Sequence, residues 1–276
     1  MKAAKFEYLR AATVEQALEA LGRPGAACKV MAGSQSLGPM LNLRLARPAS
    51  IVDVSGIEAL RTVVESDKSL RVGAAITHAE IEDGVFAPLR GHMLQDVAGR
   101  IAYRAVRNRG TLGGSLAHAD PAADWVLAAT ALGADIEIVS PSGTRRVAMP
   151  AFMQGAYTTG LGSDELIAAV HVPKLHAGVR WGYYKFCRKT GEFAEASCSA
   201  YFDAEARVAR IAVGALDGAP CYLTELAGRV AEQGLQAADR ASIMAAVDAV
   251  APGKDAADRA LRATVIERCL HQALGE

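Results

Sequence analysis

The feature that most constrains this chain is a change of hydrophobic rhythm near Leu175. Before it, short apolar runs over residues 28–32, 50–54 and 70–73 alternate with helical patterns over 13–21, from about 78, and over 93–106, the rhythm of strands and helices taken in turn. Alternation at 135–139, the turn Pro141-Ser142-Gly143 and a return strand at 145–147 predict a hairpin, and 166–172 predicts a strand closed by Pro173. After Leu175, residues 181–188, 196–203 and 208–215 read as three longer strands, an antiparallel meander, followed by Ala-rich helical segments near 223–234, 240–250 and 255–273. The expectation is an α+β chain of two domains, 1–175 and 176–276, the first divided into subdomains of about 1–55 and 56–175. In the opening helix Val14, Ala17, Leu18 and Leu21 share a face behind Thr13, with Gly22 and Pro24 as the stop.

Composition removes several classes of function. Thirty basic and thirty acidic residues cancel, so no overall positive field exists to gather nucleic acid. The longest apolar stretch, about 125–134, is roughly half of the ~20 residues a membrane helix needs, and the start lacks the apolar block of a secretory signal; a cytoplasmic chain without a transmembrane segment is expected. Cys28, Cys187, Cys198, Cys221 and Cys269 are scattered, without a Cys-x-x-Cys pair, so they read as free thiols, and no metal or iron–sulfur cluster is expected on this chain. His78, His92, His118, His171, His176 and His271 form no i, i+4 ligand pair.

Two glycine segments carry the chemistry. In Val30-Met31-Ala32-Gly33-Ser34-Gln35-Ser36-Leu37-Gly38 an apolar strand delivers a glycine and three small polar residues into a tight turn. Successive backbone N–H groups in such a turn form a concave anion site, to which the hydroxyls and the Gln35 amide add donors. In Gly110-Thr111-Leu112-Gly113-Gly114-Ser115 paired glycines let a ligand approach the backbone, and Asp124 downstream is an acceptor for a sugar hydroxyl. Either segment alone is equally an ordinary turn. Neither matches G-x-G-x-x-G or G-x-x-x-x-G-K-[ST], which disfavours Rossmann and P-loop folds.

Together, in this order, the segments resemble the FAD-binding medium subunits of the xanthine dehydrogenase and carbon monoxide dehydrogenase family, the molybdenum hydroxylases. Ala32-Gly33-Ser34-Gln35-Ser36 and Thr111-Leu112-Gly113-Gly114-Ser115 stand where that family has its Ala-Gly-Gly-x-Ser and Thr-Ile-Gly-Gly-Asn turns. Further landmarks are Phe6-Glu7-Tyr8 with Thr13-Val14-Glu15-Gln16-Ala17, Asp120-Pro121-Ala122-Ala123-Asp124, Gly155-Ala156-Tyr157-Thr158-Thr159 with Glu165-Leu166-Ile167, and Tyr184-Lys185-Phe186. The resemblance implies a two-subdomain FAD-binding domain of the vanillyl-alcohol-oxidase/PCMH type, followed by a C-terminal domain of antiparallel strands and helices. It carries non-covalent flavin contacts to Val30 through Gly38, Ile101, Thr111 through Ser115, Asp124 on the sugar side, and Leu166 and Lys185 near the ring. It also implies a large molybdenum-binding subunit and a small subunit with [2Fe-2S] clusters as partners, as a dimer of heterotrimers. The chain would then relay electrons to an external acceptor, with no catalytic residue of its own.

Two departures from the family pattern matter. Ser34 stands where a second glycine is common, which is tolerable if Ser34 avoids positive φ. Ser115 and His118 occupy positions that are often asparagine, which leaves His118 as a hydrogen-bonding loop residue near the flavin. A stand-alone flavin oxidase of the same fold is the main alternative, but neither glycine turn offers a residue for covalent flavin attachment. A cell-wall enolpyruvyl reductase and a scaffold that has lost FAD are the others. Arg100, Arg104, Arg107 and Arg109 read as a solvated helix face before they read as a surface that steers a partner.

Overall fold

The computed structural model describes residues 2–23 and 27–275. Pro24, expected to help stop the first helix, lies outside the described residues. The chain begins with β1 (Glu7–Arg10), α1 (Val14–Leu21), β2 (Cys28–Met31), α2 (Leu37–Asn42) and β3 (Ser50–Asp53). The three strands form a parallel sheet in the order β1-β3-β2. Thr13 caps α1 by accepting the Gln16 N–H, and Ala17 and Leu21 are buried as the spacing predicts, joined by Ala20. That face packs into a small core with Val52, Val54, Ile57, Leu60, Ala75, Leu166 and Ala168.

Next come β4 (Val63–Glu65), β5 (Ser69–Gly73), α3 (His78–Glu82), α4 (Met93–Gly99), α5 (Arg104–Arg107), α6 (Leu112–His118) and α7 (Asp124–Leu132). They are followed by β6 (Asp135–Ser140), β7 (Gly143–Ala148), α8 (Met149–Phe152), β8 (Met153–Gly155), β9 (Thr158–Thr159) and β10 (Leu166–Pro173). Five of the strands make a sheet in the order β4-β5-β10-β6-β7. The predicted hairpin is β6–β7, with Ser140 opposite Gly143 across the turn. The helix expected over 93–106 is broken in two. Ala102 turns left-handed at φ 42, and the Arg107 guanidinium binds the carbonyls of Ile101 and Ala102 at 2.9 and 3.0 Å, holding the break open. Every residue of α7 is buried, so the longest apolar stretch is a core helix, apolar all round because it is covered all round. No helix among the described residues is long and apolar enough to cross a membrane.

The meander follows as β11 (Val179–Phe186), β12 (Ala196–Asp203), β13 (Val208–Gly214) and β14 (Cys221–Tyr222), an antiparallel sheet in that order. The chain ends in α9 (Thr224–Gln233), α10 (Arg240–Val250) and α11 (Ala256–Leu274). All eight residues of β12 are buried. Ala196, Cys198, Ala200 and Phe202 pack into a core with Ile266, Cys269 and Leu270 of α11, whereas Tyr201 faces the core that holds α7. The period of two therefore places one strand between two helices. Gly182 has no side chain because a Cβ there would strike the Cys269 carbonyl of α11. The fold is α+β, as the sequence predicts.

Candidate functional site

The first glycine segment leaves β2 and enters α2. Gly33 is buried against the second segment: a Cβ on it would lie 2.5 Å from the Arg109 carbonyl carbon and 2.7 Å from Gly110 Cα. Only glycine fits that contact. Ser34 sits at φ 60, so the condition set on its tolerance fails: a serine holds a left-handed position that costs about 1–2 kcal/mol for a residue with a Cβ. The left-handed turn is also what lets successive N–H groups converge. No acceptor among the described residues takes the backbone N–H of Gly33, Ser34, Gln35, Ser36 or Leu37, while the Gln35 side-chain amide donates to the Gly33 carbonyl at 3.0 Å. Five unclaimed donors in succession are the clearest mark of an anion site here.

The second segment is not the open turn expected. Thr111 caps α6, its Oγ1 accepting the Gly114 N–H at 3.1 Å. The Leu112 and Gly113 N–H groups donate to the carbonyls of Ile76 and Ala74 at 3.0 and 2.8 Å. A Cβ on Gly113 would lie 2.5 Å from that of Ala74, so this glycine permits packing of protein on protein, not approach of a ligand. Gly114 is exposed and Ser115 half-buried, and a Cβ on Gly114 would sit 3.9 Å from the Ala32 methyl. The two segments thus adjoin along Ala32–Gly33 and Gly110–Gly114. Leu166 is buried in the core against which Val30 and Ala32 pack, which puts it beneath the first turn.

Behind the second turn, His78 is buried in the first turn of α3, and its backbone N–H donates to the Gly110 carbonyl at 2.9 Å. Its Nδ1 accepts the Trp125 indole N–H at 2.9 Å. Burial, with the positive charge of Arg107 adding to it, pushes the imidazole down to about 3, so the ring is neutral with its proton on Nε2. A Cβ on Gly110 would lie 2.6 Å from that Nε2. The histidine is a buttress for the turn.

Asp124 and Lys185 form a second group. Lys185 Nζ stands 2.8 Å from Asp124 Oδ1 with side chains only 9% and 6% exposed, and the Tyr183 hydroxyl donates to the same oxygen at 2.6 Å. Burial, then the charge of Asp124, holds the Tyr183 hydroxyl well above its ordinary range. The ammonium meets the carboxylate off hydrogen-bond geometry and has no hydrogen-bonded partner among the described residues; the close approach is an ion pair with donor capacity left over. Tyr183 was missed from the sequence, although the strand period puts it on the face of Lys185. Ile101 packs partly buried on the main core, and among the described residues no hydrogen bond or ion pair joins it, or the Asp124–Lys185 pair, to the glycine turns. Loop 187–195, closed by the Arg188–Glu195 ion pair at 2.6 Å, begins two residues beyond Lys185 and exposes Phe193 at 62%. Its Gly191 lies against the Tyr103 ring.

Three of the four arginines are spent on the protein itself, whereas Arg109 is exposed and enters no ion pair among the described residues. Arg104 pairs with Glu82 and Asp83, Arg107 with Glu82, and Arg100 with Asp96. His118 ends α6 rather than lying in a loop and packs against Tyr157 with ring centroids 5.2 Å apart and planes tilted by 52°, and Tyr157 donates to Asp120 at 3.0 Å. All five cysteines are free thiols, and no group of three or more potential metal ligands gathers among the described residues.

The first turn offers uncharged backbone donors that could hold a pyrophosphate, and the buried Lys185 ammonium has donor capacity that could meet an electron-rich ring; such a set fits a flavin dinucleotide. Residues 4–175 match the family described as the FAD binding domain in molybdopterin dehydrogenase. The carbon monoxide dehydrogenase medium chain of Hydrogenophaga pseudoflava is 33% identical over 89% of this chain and 85% of that one. The nicotine 6-hydroxylase medium subunit of Paenarthrobacter nicotinovorans is 35% identical over 79% and 77%. Among solved structures, quinoline 2-oxidoreductase from Pseudomonas putida 86 superposes with a TM-score of 0.87 at 29% identity, covering 99% of this chain and 98% of that one.

Proposed function

The chain belongs to the family of FAD-binding domains of molybdopterin dehydrogenases, and on that footing we propose that it is the FAD-binding subunit of a multi-subunit molybdenum hydroxylase. It relays electrons from [2Fe-2S] clusters in a partner subunit, through FAD, to an external acceptor. The observation that carries this is the pair of adjoining turns with five successive unclaimed N–H groups at Gly33–Leu37. Relatives named as medium chains and subunits of such dehydrogenases support it, and they speak against a stand-alone oxidase.

In this reading residues 1–175 form the FAD-binding domain and 176–276 the C-terminal domain. The N–H groups of Gly33 through Leu37, with the polar side chains of Ser34, Gln35, Ser36 and Ser115, bind the pyrophosphate; Val30, Met31, Ala32 and Gly38 flank it. Thr111 through Gly114 form the opposing wall, fixed by the Thr111 cap and the Gly113 contact. Asp124 keeps Oδ2 for a sugar hydroxyl and Lys185 points its spare donors to the ring edge, with Leu166 and Ile101 as apolar contacts. Bound FAD supplies the one- and two-electron chemistry, and the protein supplies orientation and charge. A large subunit with the molybdenum cofactor and a small iron–sulfur subunit complete the assembly, a dimer of heterotrimers in the cytoplasm.

The test is to co-express the chain with its neighbouring genes, purify the assembly and record its visible spectrum before and after acid treatment, with metal analysis. Acid-released FAD with iron, molybdenum and two further polypeptides is expected. A chain that purifies alone and oxidises a small substrate unaided would overturn the reading.

A further inference from the structure

A cleft of about 810 Å³, which shares no lining residue with the proposed flavin contacts, is lined by Lys2, Ala3, Ala4, Lys5, Phe6, Arg44 and Arg47. Of the seven described residues that line it, four are cations and none is a carboxylate. In a chain whose charges cancel only when these four are counted, and in which Arg61, Arg71, Arg104, Arg107, Arg145 and Arg262 hold carboxylates, these four enter no ion pair among the described residues. Arg44 and Arg47 are instead pinned through Nε, to the Lys2 and Arg44 carbonyls, each at 3.1 Å. That leaves their terminal nitrogens without a hydrogen-bond partner among the described residues. Clustering like charges costs energy unless something opposite covers them.

The surroundings say what covers them. Leu43 is 52% and Leu45 73% exposed, on either side of Arg44. The turn that displays them is rigid: Arg44 is left-handed at φ 59, and the Leu45 and Ala46 N–H groups both donate to the Met40 carbonyl at 2.8 and 3.2 Å. A free anion would neutralise the arginines and leave both leucines in water. An interface with another polypeptide would cover both, since interfaces combine an apolar centre with arginine.

We propose that this cleft and the Leu43–Leu45 turn are the docking surface for an acidic segment, carrying apolar side chains, of a partner polypeptide in the same assembly. The proposal rests on the reading of this chain as one subunit of several. Charge complementarity sets the orientation and speeds the encounter, and the leucines supply the area.

The experiment compares wild type, the double variant Arg44→Glu/Arg47→Glu, and Arg229→Glu, an exposed charge reversal elsewhere, each co-expressed with the partner chains. Expected for the double variant is an unchanged melting temperature and flavin content in the isolated chain, with affinity for the partner weakened at least on the order of tenfold. Wild-type association should weaken with added salt and Arg229→Glu should assemble normally. Carbodiimide treatment of the wild-type complex should link Lys2 or Lys5 to an Asp or Glu of a partner chain, a readout that does not depend on the variant folding. A double variant that assembles like wild type, without such cross-links, overturns the proposal and leaves the subunit reading intact. A wild type that never assembles overturns both, and one that uses Lys2 and Lys5 to bind its own copy, or vesicles of anionic lipid, overturns the proposed occupant.

Discussion

Lys185 reaches from β11 to within 2.8 Å of Asp124 Oδ1, the first residue of α7, so a buried ion pair links the meander to the helix at the centre of the molecule. Removing one member of such a pair leaves the other charged, buried and uncompensated, at a cost of about 3–5 kcal/mol. Asp124→Asn should therefore lower stability by that order, even though the amide oxygen can still accept from Tyr183. Lys185→Met should cost less, because the Tyr183 hydroxyl still serves the carboxylate. The double variant should be more stable than the sum of the two losses predicts. Urea denaturation of the four proteins measures the coupling; additive losses would show that the pair contributes nothing.

Gly33 and Ser34 predict opposite responses in adjacent positions. Gly33→Ala drives a methyl into the Arg109 carbonyl and Gly110 Cα, backbone atoms that cannot swing aside, and should cost more than about 2 kcal/mol together with loss of bound FAD. Ser34→Gly removes the left-handed strain at φ 60 and should gain about 0.5–1 kcal/mol, the larger freedom of glycine in the unfolded chain taking back part of the relief. Thermal melting with FAD quantified after acid release checks both. A destabilised Ser34→Gly would mean that the hydroxyl contributes more than the strain costs.

The same two positions show how far the sequence could be read. The hairpin at Ser140–Gly143 is plain in the sequence from its turn residues and alternation, and the meander from the length of its strands and the turns between them, although β12 is buried on both faces. β1 is not, because all four of its residues are exposed and only parallel pairing with β3 makes it a strand. The helix α6 was hidden by Gly113 and Gly114, poor helix formers; packing on Ala74 explains Gly113, and a Cβ on Gly114 would lie 2.8 Å from the capping Thr111 Oγ1. Asp124 and Lys185 are separately legible as polar candidates, but their contact is long-range and no local pattern announces it. The packing of Gly33 on Arg109 and Gly110 is likewise long-range, and the left-handed φ of Ser34 beside it is not written in its residue type, so the sequence shows the substitution without showing its strain.

An acid-base consequence follows from Glu137. Burial alone would raise its carboxyl, but hydrogen bonds from Arg71 at 2.7 Å and His171 at 2.6 Å outweigh that and hold it below its ordinary value. A carboxylate with a depressed folded pKa stabilises the protein above its unfolded value of about 4.3, and that contribution is lost as pH falls through the folded value. Glu137→Gln should lower the melting temperature at pH 7 and flatten its decline below pH 4. Parallel melting curves for the two proteins across that range would rule the contribution out.

His78 acts in a different window. Its imidazole is held down to about 3 by burial, with Arg107 adding to it, whereas in the unfolded chain it titrates near 6.5. Between those values the unfolded state binds a proton that the folded state refuses, so stability is fully present above about pH 6.5 and declines as pH falls toward 3. From pH 7 to pH 5 the loss from this one group is about 2 kcal/mol. His78→Asn keeps an acceptor for the Trp125 indole but cannot be protonated, so the stability difference between wild type and variant should shrink by that amount over the same interval. Nitrogen-15 NMR of labelled histidine should find one ring that stays neutral at pH 5, protonated at Nε2 because Trp125 occupies Nδ1. A His78 ring that titrates above pH 5 would mean that the second glycine turn opens to water, and that the buttress behind Gly110 is looser than the 2.9 Å indole contact implies.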